Sequence, residues 1–305
     1  MRSVSLAKRP DPLVPSSVTE AVLLSALALA RPITIALLLS SAAGAQAVRT
    51  AKRAVPGPTT ITIVAYNHFY EAPNPINSGL VTFRFINRGP DLHQMWIVKI
   101  DEGYAFSDFM NAIRPGRPIP AWLHGLGGPE SPESGEEVSV TLNLEPGRYA
   151  LACFIPSEGG GSHLSKGMFL PLTVRDAKGP VLPSPKSDGS IMLRDGGAEV
   201  NGAVNAGRHL LRVENQGKET RGMRVARLLD GKTMDDVTRW LASGGAPASA
   251  PVKLLGGVTP LATGEANWLS LMLSKGDYVL LPMAFAFGTG EPQYLTALAK
   301  KFSVQ

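Results

Sequence analysis

The sequence predicts an all-β protein: two tandem β-sandwiches with Greek-key connections, each carrying a short helical insertion. Three observations support this. First, 32 glycines and 25 prolines are spread along the 305 residues instead of gathered in one low-complexity block, and only 18% of residues are charged. That is the composition of a loop-rich β fold, not of a disordered tail or a coiled coil. Second, short apolar runs alternate with period two between glycine and proline turns, the pattern of half-buried strands. Third, the chain matches itself at an offset of about 128 to 130 residues, and its length is room for about two ordinary domains.

The amino end comes first. The apolar stretch Ile33 to Ala45 follows Arg31 and runs into Ala45-Gln46-Ala47, a small-x-small cleavage signal. This reads as a secretory signal peptide over residues 1–47, followed by a linker over 48–57. A second apolar run, Ala21 to Ala30, lies upstream, cut off by Arg31-Pro32; the alternative is an uncleaved N-terminal anchor, the one route by which a membrane would be a partner. Either way the folded part is expected to be exported, periplasmic or extracellular, where a lone thiol needs a reason to stay reduced. The single cysteine excludes an internal disulfide framework. Net charge is +5, of which the leader's Arg2, Lys8, Arg9 and Arg31 against Asp11 and Glu20 account for +2. The remainder has no basic run interleaved with aromatics, so no nucleic acid is expected as a partner.

The first copy spans 58–176. Its expected strands are Thr60–Tyr66, Leu80–Ile86, Met95–Ile100, Glu137–Leu144, Arg148–Phe154 and Met168–Val174, with a helical stretch at Ala105–Ile113 in an insertion ending in a Gly-Gly loop. The proline-rich segment 177–187 is a linker, and the second copy spans 188–305. Gly79 to Gly89 aligns with Gly207 to Gly217, Gly127-Gly128 with Gly256-Gly257, and Leu142 to Tyr149 with Leu271 to Tyr278. The second helical stretch is expected at Thr233–Ala242, with Asp235 and Asp236 capping its start and Trp240 and Leu241 facing the sheets. The Gly125 to Pro132 loop and its partner Leu254–Pro260 recur in both copies, which points to a structural role, expected to be the covering of one sandwich end.

Four residues of the first copy form a candidate metal set: His93 after a strand, then Cys153, His163 and Met168 near its end. Two imidazoles, a thiolate and a weak thioether suit a copper that cycles between Cu(I) and Cu(II). Around these residues the sequence resembles the cupredoxin family, plastocyanin-like members with type 1 copper above all. Asn87 to His93 resembles the strand that ends in asparagine and reaches the first copper histidine; Gly147-Arg-Tyr149 to Cys153 resembles the penultimate strand; His163 to Gly167-Met168 matches the final histidine and Gly-Met. The resemblance implies one copper in the first domain. Nine residues separate Cys153 from His163, more than in the usual loop, and Gly159-Gly160-Gly161 would let this longer one fold back. The second copy has Arg221, Pro282, Gln293 and Leu298 at the four ligand positions, so all donors are lost together.

The competing interpretations are an inert buried thiol at Cys153 and a metal-free binding or structural module. Tandem multicopper oxidases and copper nitrite reductases carry histidines beside the copper cysteine or in His-x-His pairs, whereas Cys153 is flanked by Ala152 and Phe154 and no His-x-His occurs. A thiol hydrolase using Cys153 and His163 lacks an orienting-acid motif. The expectation is therefore a non-enzymatic copper protein with a redox or copper-donor protein as partner. His124, before the Gly-Gly loop, is held as a possible supporting or metal-entry residue.

Overall fold

The computed structural model describes residues 57–113, 119–157, 159–202, 204–245, 247–286 and 291–305. The expected leader, 1–47, lies outside them. In the first copy one sheet runs in the order Glu137–Leu144, Gly79–Asn87, Thr59–Ala65 and Tyr70–Glu71. The other runs Ile76–Asn77, Phe169–Arg175, Gly147–Ala152, Trp96–Ile100 and Leu123–Gly125. Alternation decides which side chains meet: Val81, Phe83 and Phe85 on one strand and Val138, Val140 and Leu142 on its neighbour face Ile97, Tyr149, Leu151 and Leu172 across the sandwich. Each such side chain, fully buried, contributes about 1.5–3 kcal/mol. The six expected strands form, with ends displaced by at most two residues.

The second copy repeats this plan. Gly189–Arg194, Gly197–Asn201, Gly207–Asn215 and Ala266–Leu273 form one sheet; Arg221–Leu228, Val252–Leu261, Gly276–Ala286, Glu291–Tyr294 and Lys300–Val304 form the other. The same hydrogen bonds occur in both copies. Asn87 Nδ2 donates to the carbonyls of Asp91 and Pro132 and its Oδ1 accepts from Gly89 N; Asn215 does the same with Glu219, Leu261 and Gly217. Tyr149 Oη donates to Glu145 O and Tyr278 Oη to Ser274 O. The helices are Phe106–Ala112 and Met234–Ala242. Of the expected capping aspartates Asp236 takes part, paired with Thr233, the N-cap of the second helix: the Thr233 hydroxyl accepts from Asp236 N while the Asp236 carboxylate accepts from Thr233 N, which satisfies two orphan donors at once. Trp240 and Leu241 are buried.

The two copies share their sheets. Leu269 pairs with Val140 and Trp268 with Thr141, which joins the two first-named sheets into one of eight strands. Leu269 and Val140 occupy equivalent positions of the repeat, so the copies meet about a local two-fold axis. The Gly-Gly loops do not cover a sandwich end, as expected from sequence, but form this interface. Pro129–Pro132 adds itself as a strand to Val252–Leu261 of the other copy, with Val258 opposite Pro129. Asn267 Oδ1 accepts from Gly128 N, and a Cβ on Gly127 would lie 2.3 Å from that oxygen, which is why glycine is needed there. A strand made of Pro-Glu-Ser-Pro is invisible to alternation, because prolines confine it to an edge; its pairing comes from the other copy.

Candidate metal centre

Three of the four expected residues converge, and local chemistry explains how. His93 lies between the Asn87 turn and the strand Trp96–Ile100, with Gly89 beneath its ring: a Cβ there would stand 2.3 Å from His93 Nε2. Cys153 follows the strand Gly147–Ala152. The chain then makes a small hairpin in which Ser157 N donates to Gly161 O at 2.8 Å, His163 N to Ile155 O at 2.9 Å and Leu164 N to Cys153 O at 2.7 Å. Gly160 and Gly161 turn it at φ of 96° and 74°, in the left-handed region open to glycine. Thus the nine-residue spacer returns His163 beside Cys153. Met168 N donates to His163 O and Met168 O accepts from Cys153 N, at 2.9 and 3.2 Å, so Met168 is fastened by its backbone to both and is fully buried.

His93 Nδ1 stands 3.1 Å from His163 Nδ1, and His163 Nδ1 stands 3.5 Å from Cys153 Sγ. One donor atom from each of the three lies within 4.8 Å of the others, and all three residues are buried. Ligand bonds of about 2.0–2.1 Å to nitrogen and 2.3 Å to sulfur, about 100–110° apart, give donor separations of roughly 3.1–3.6 Å. The His93–His163 and His163–Cys153 separations fall in that range, and two imidazoles with a thiol are donors that suit a first-row transition ion. The outer Nε2 atoms of both histidines are buried without hydrogen-bond partners, so the inward Nδ1 atoms are the ones in mutual contact. Burial, and then the neighbouring His163 and His68, hold His93 down to about 3; burial and then His68 also lower His163. Both imidazoles are consequently neutral at pH 7 and keep a lone pair to offer. Burial pushes the Cys153 thiol up to about 12, so deprotonation requires a cation close by.

Several contributors escaped the sequence reading. Gln94 N donates to Cys153 Sγ at 3.5 Å, and Tyr70 Oη donates to Gln94 O. His68 stands edge-on to His163, ring centres 5.1 Å apart, and Asp91 Oδ2 lies 3.9 Å from His163 Nε2. Their positions depend on turns that bring distant chain segments together, and only adjacency to His93 could have drawn attention to Gln94. His124 is a correction: it sits opposite Lys99, at the far end of the strand from His93, bonded to Asp101 Oδ1 at 3.0 Å. In the second copy Arg221, the counterpart of His93, is buried and its Nη2 lies 3.4 Å from Asp195 and 3.3 Å from Glu219. A guanidinium in that place repels a metal cation.

No family model matches the chain, and no curated protein matches it. Among solved structures, it is similar to dithionite-reduced auracyanin from the photosynthetic bacterium Roseiflexus castenholzii, with 26% identity over 39% of this chain and 98% of that one, at a TM-score of 0.28. It is also similar to auracyanin A, a "blue" copper protein from Chloroflexus aurantiacus, with 21% identity over 39% of this chain and all of that one, at a TM-score of 0.30. A copper nitrite reductase from Nitrosomonas europaea is similar over 82% of this chain and 94% of its own, at 14% identity and a TM-score of 0.23. With TM-scores of 0.23 to 0.30, these likenesses carry no argument, and the site of His93, Cys153 and His163 stands on its own distances and donor chemistry.

Proposed function

We propose that the protein is an exported copper protein whose first domain holds one copper and passes single electrons or carries the ion. The observation that carries this reading is the buried convergence of His93, His163 and Cys153, with His163 Nδ1 3.1 Å from His93 Nδ1 and 3.5 Å from Cys153 Sγ and all three donor atoms within 4.8 Å of one another. The histidines would ligate through Nδ1, Cys153 as thiolate, and Met168 as a weak thioether donor. When bound, copper would supply a Cu(II)/Cu(I) couple for one-electron exchange. The chain's own part is to hold neutral imidazoles in place, exclude water by burial, and fix the thiol through the Gln94 amide.

An electron carrier or copper carrier is favoured over an oxidase or nitrite reductase because the sequence has no His-x-His and no histidine beside Cys153 to hold further metal. Its partner would be a redox or copper-donor protein. Among the described residues no helix is long and apolar enough to cross a membrane, and the leader, if uncleaved, would be the anchor. Titration of the purified full chain with Cu(II) tests the proposal. One equivalent should bind with intense visible thiolate-to-copper absorption that bleaches on reduction, returns on reoxidation and is lost in Cys153→Ser. A colourless chain that binds Cu(I) tightly would select the carrier role; no stoichiometric copper would refute both.

A further inference from the structure

We infer that the second copy, which lacks donors at the four aligned ligand positions, positions the metal centre of the first through Arg224, Glu130 and Gln94. The inference rests on the metal-binding reading above and concerns what holds that site in place.

Glu130 is a fully buried carboxylate of the first copy. Arg224, from the second copy, approaches it with Nε at 2.9 Å and Nη2 at 2.8 Å from Oε1, its own side chain only 7% exposed. On the other side lies Gln94. Oriented by its neighbours, its amide donates to Glu130 Oε2 at 2.8 Å and Oε1 at 3.2 Å, while its side-chain oxygen accepts from Phe154 N at 3.2 Å. Gln94 follows His93 and Phe154 follows Cys153, so one side chain ties together the backbones next to two ligands. Gln94 N also donates to Cys153 Sγ. The path from the second copy to the sulfur is continuous and buried. Removing a partner from a buried ion pair leaves an uncompensated charge, and in a low-dielectric interior that charge acts on its surroundings with little screening. Arg224 therefore does two things at once: it fixes Glu130, and through it Gln94, and it cancels a negative charge close to the thiolate. The interface is reciprocal, since Trp96, the counterpart of Arg224, donates Nε1 to Pro260 O at 2.7 Å. Only the Arg224 direction ends at residues beside the ligands.

The test uses the full chain as Arg224→Met, Glu130→Gln and the double variant, read in two ways. In the copper-loaded protein, Arg224→Met should lower the reduction potential, because an unpaired negative charge favours Cu(II). Glu130→Gln should raise it, and the double variant should return close to the parent. In the metal-free protein, Arg224→Met should make Cys153 react about tenfold faster with a soluble disulfide reagent, as the loosened segment opens more often. Arg224→Lys, which keeps the charge, should retain the parent potential; with the double variant it carries the comparison if Arg224→Met does not fold. Equal potentials and equal thiol reactivity in all variants, with only melting temperatures altered, would overturn the inference and leave the pair a structural staple. If the parent binds no copper, the metal reading fails by itself and the thiol measurement still decides the positioning role.

Discussion

Gly89→Ala probes the centre with one methyl group. Gly89 does not occupy the left-handed region, so alanine meets no backbone strain of its own. The obstacle is contact: the new Cβ would stand 2.3 Å from His93 Nε2, 2.9 Å from Cδ2 and 3.2 Å from the carbonyl carbon of Tyr66. Carbon contacts settle at about 3.5–4.0 Å, so the imidazole must retreat by about 1 Å while backbone blocks escape on the other side. His93 is fully buried and its Nδ1 already lies 3.1 Å from His163 Nδ1. Overpacking of this kind costs about 1–3 kcal/mol, a fall in melting temperature of roughly 2–10 °C for a folded unit of this size. The same displacement spoils a ligand position, and copper affinity should fall about 10- to 100-fold, the range found when a ligand's support is removed. Thermal denaturation of the metal-free chain and competition titration with a copper chelator measure the two effects. Gly196→Ala, which has no neighbour within 4 Å of its Cβ, is the control. If Gly89→Ala melts and binds copper as the parent does, His93 does not pack as described.

Three further outcomes follow from the structure. Leu269→Ala, at the local two-fold axis, should cost about 2–5 kcal/mol, and fluorescence and circular dichroism should still report one coincident denaturant transition; separate transitions for the two copies would contradict the shared sheet. Gly161→Ala places a Cβ 2.6 Å from Ser165 Oγ at φ 74°, a left-handed position costing a non-glycine residue about 1–2 kcal/mol; copper uptake should weaken while far-ultraviolet dichroism is kept, and unchanged affinity would dissociate the hairpin from the site. Glu265 is held above the usual carboxylate range by burial and then by Glu145. Because its folded value exceeds its unfolded one, its stabilising contribution is present below about pH 4 and lost as pH rises through the folded value. Glu265→Gln should therefore stabilise the chain at pH 7 and change little near pH 3.5, as denaturant titrations at both pH values will show.

Much of the fold was legible because the signals were local. Alternation along Glu137–Leu144 located a strand to the residue, and the paired Asn87 and Asn215 turns showed that one plan is used twice. His93, Cys153 and His163 were legible as a set because few residue types bind soft metals and the second copy has none of the three at the aligned positions. What could not be read was long-range. Pro129–Pro132 becomes a strand only because the other copy offers an edge, and Glu130 in that segment is an unremarkable glutamate until Arg224 meets it. His124 misled because nearness to a glycine loop in sequence is not nearness to the site: the strand Trp96–Ile100 carries that region away from His93.

We propose that His93, His163 and Cys153 bind one copper together. Copper-edge X-ray absorption of the loaded full chain tests it most directly. The expected result is one sulfur at about 2.3 Å or less and two imidazole nitrogens at about 2.0 Å, with the sulfur shell absent in Cys153→Ser. A copper environment of nitrogen and oxygen alone, unchanged by that substitution, would contradict it.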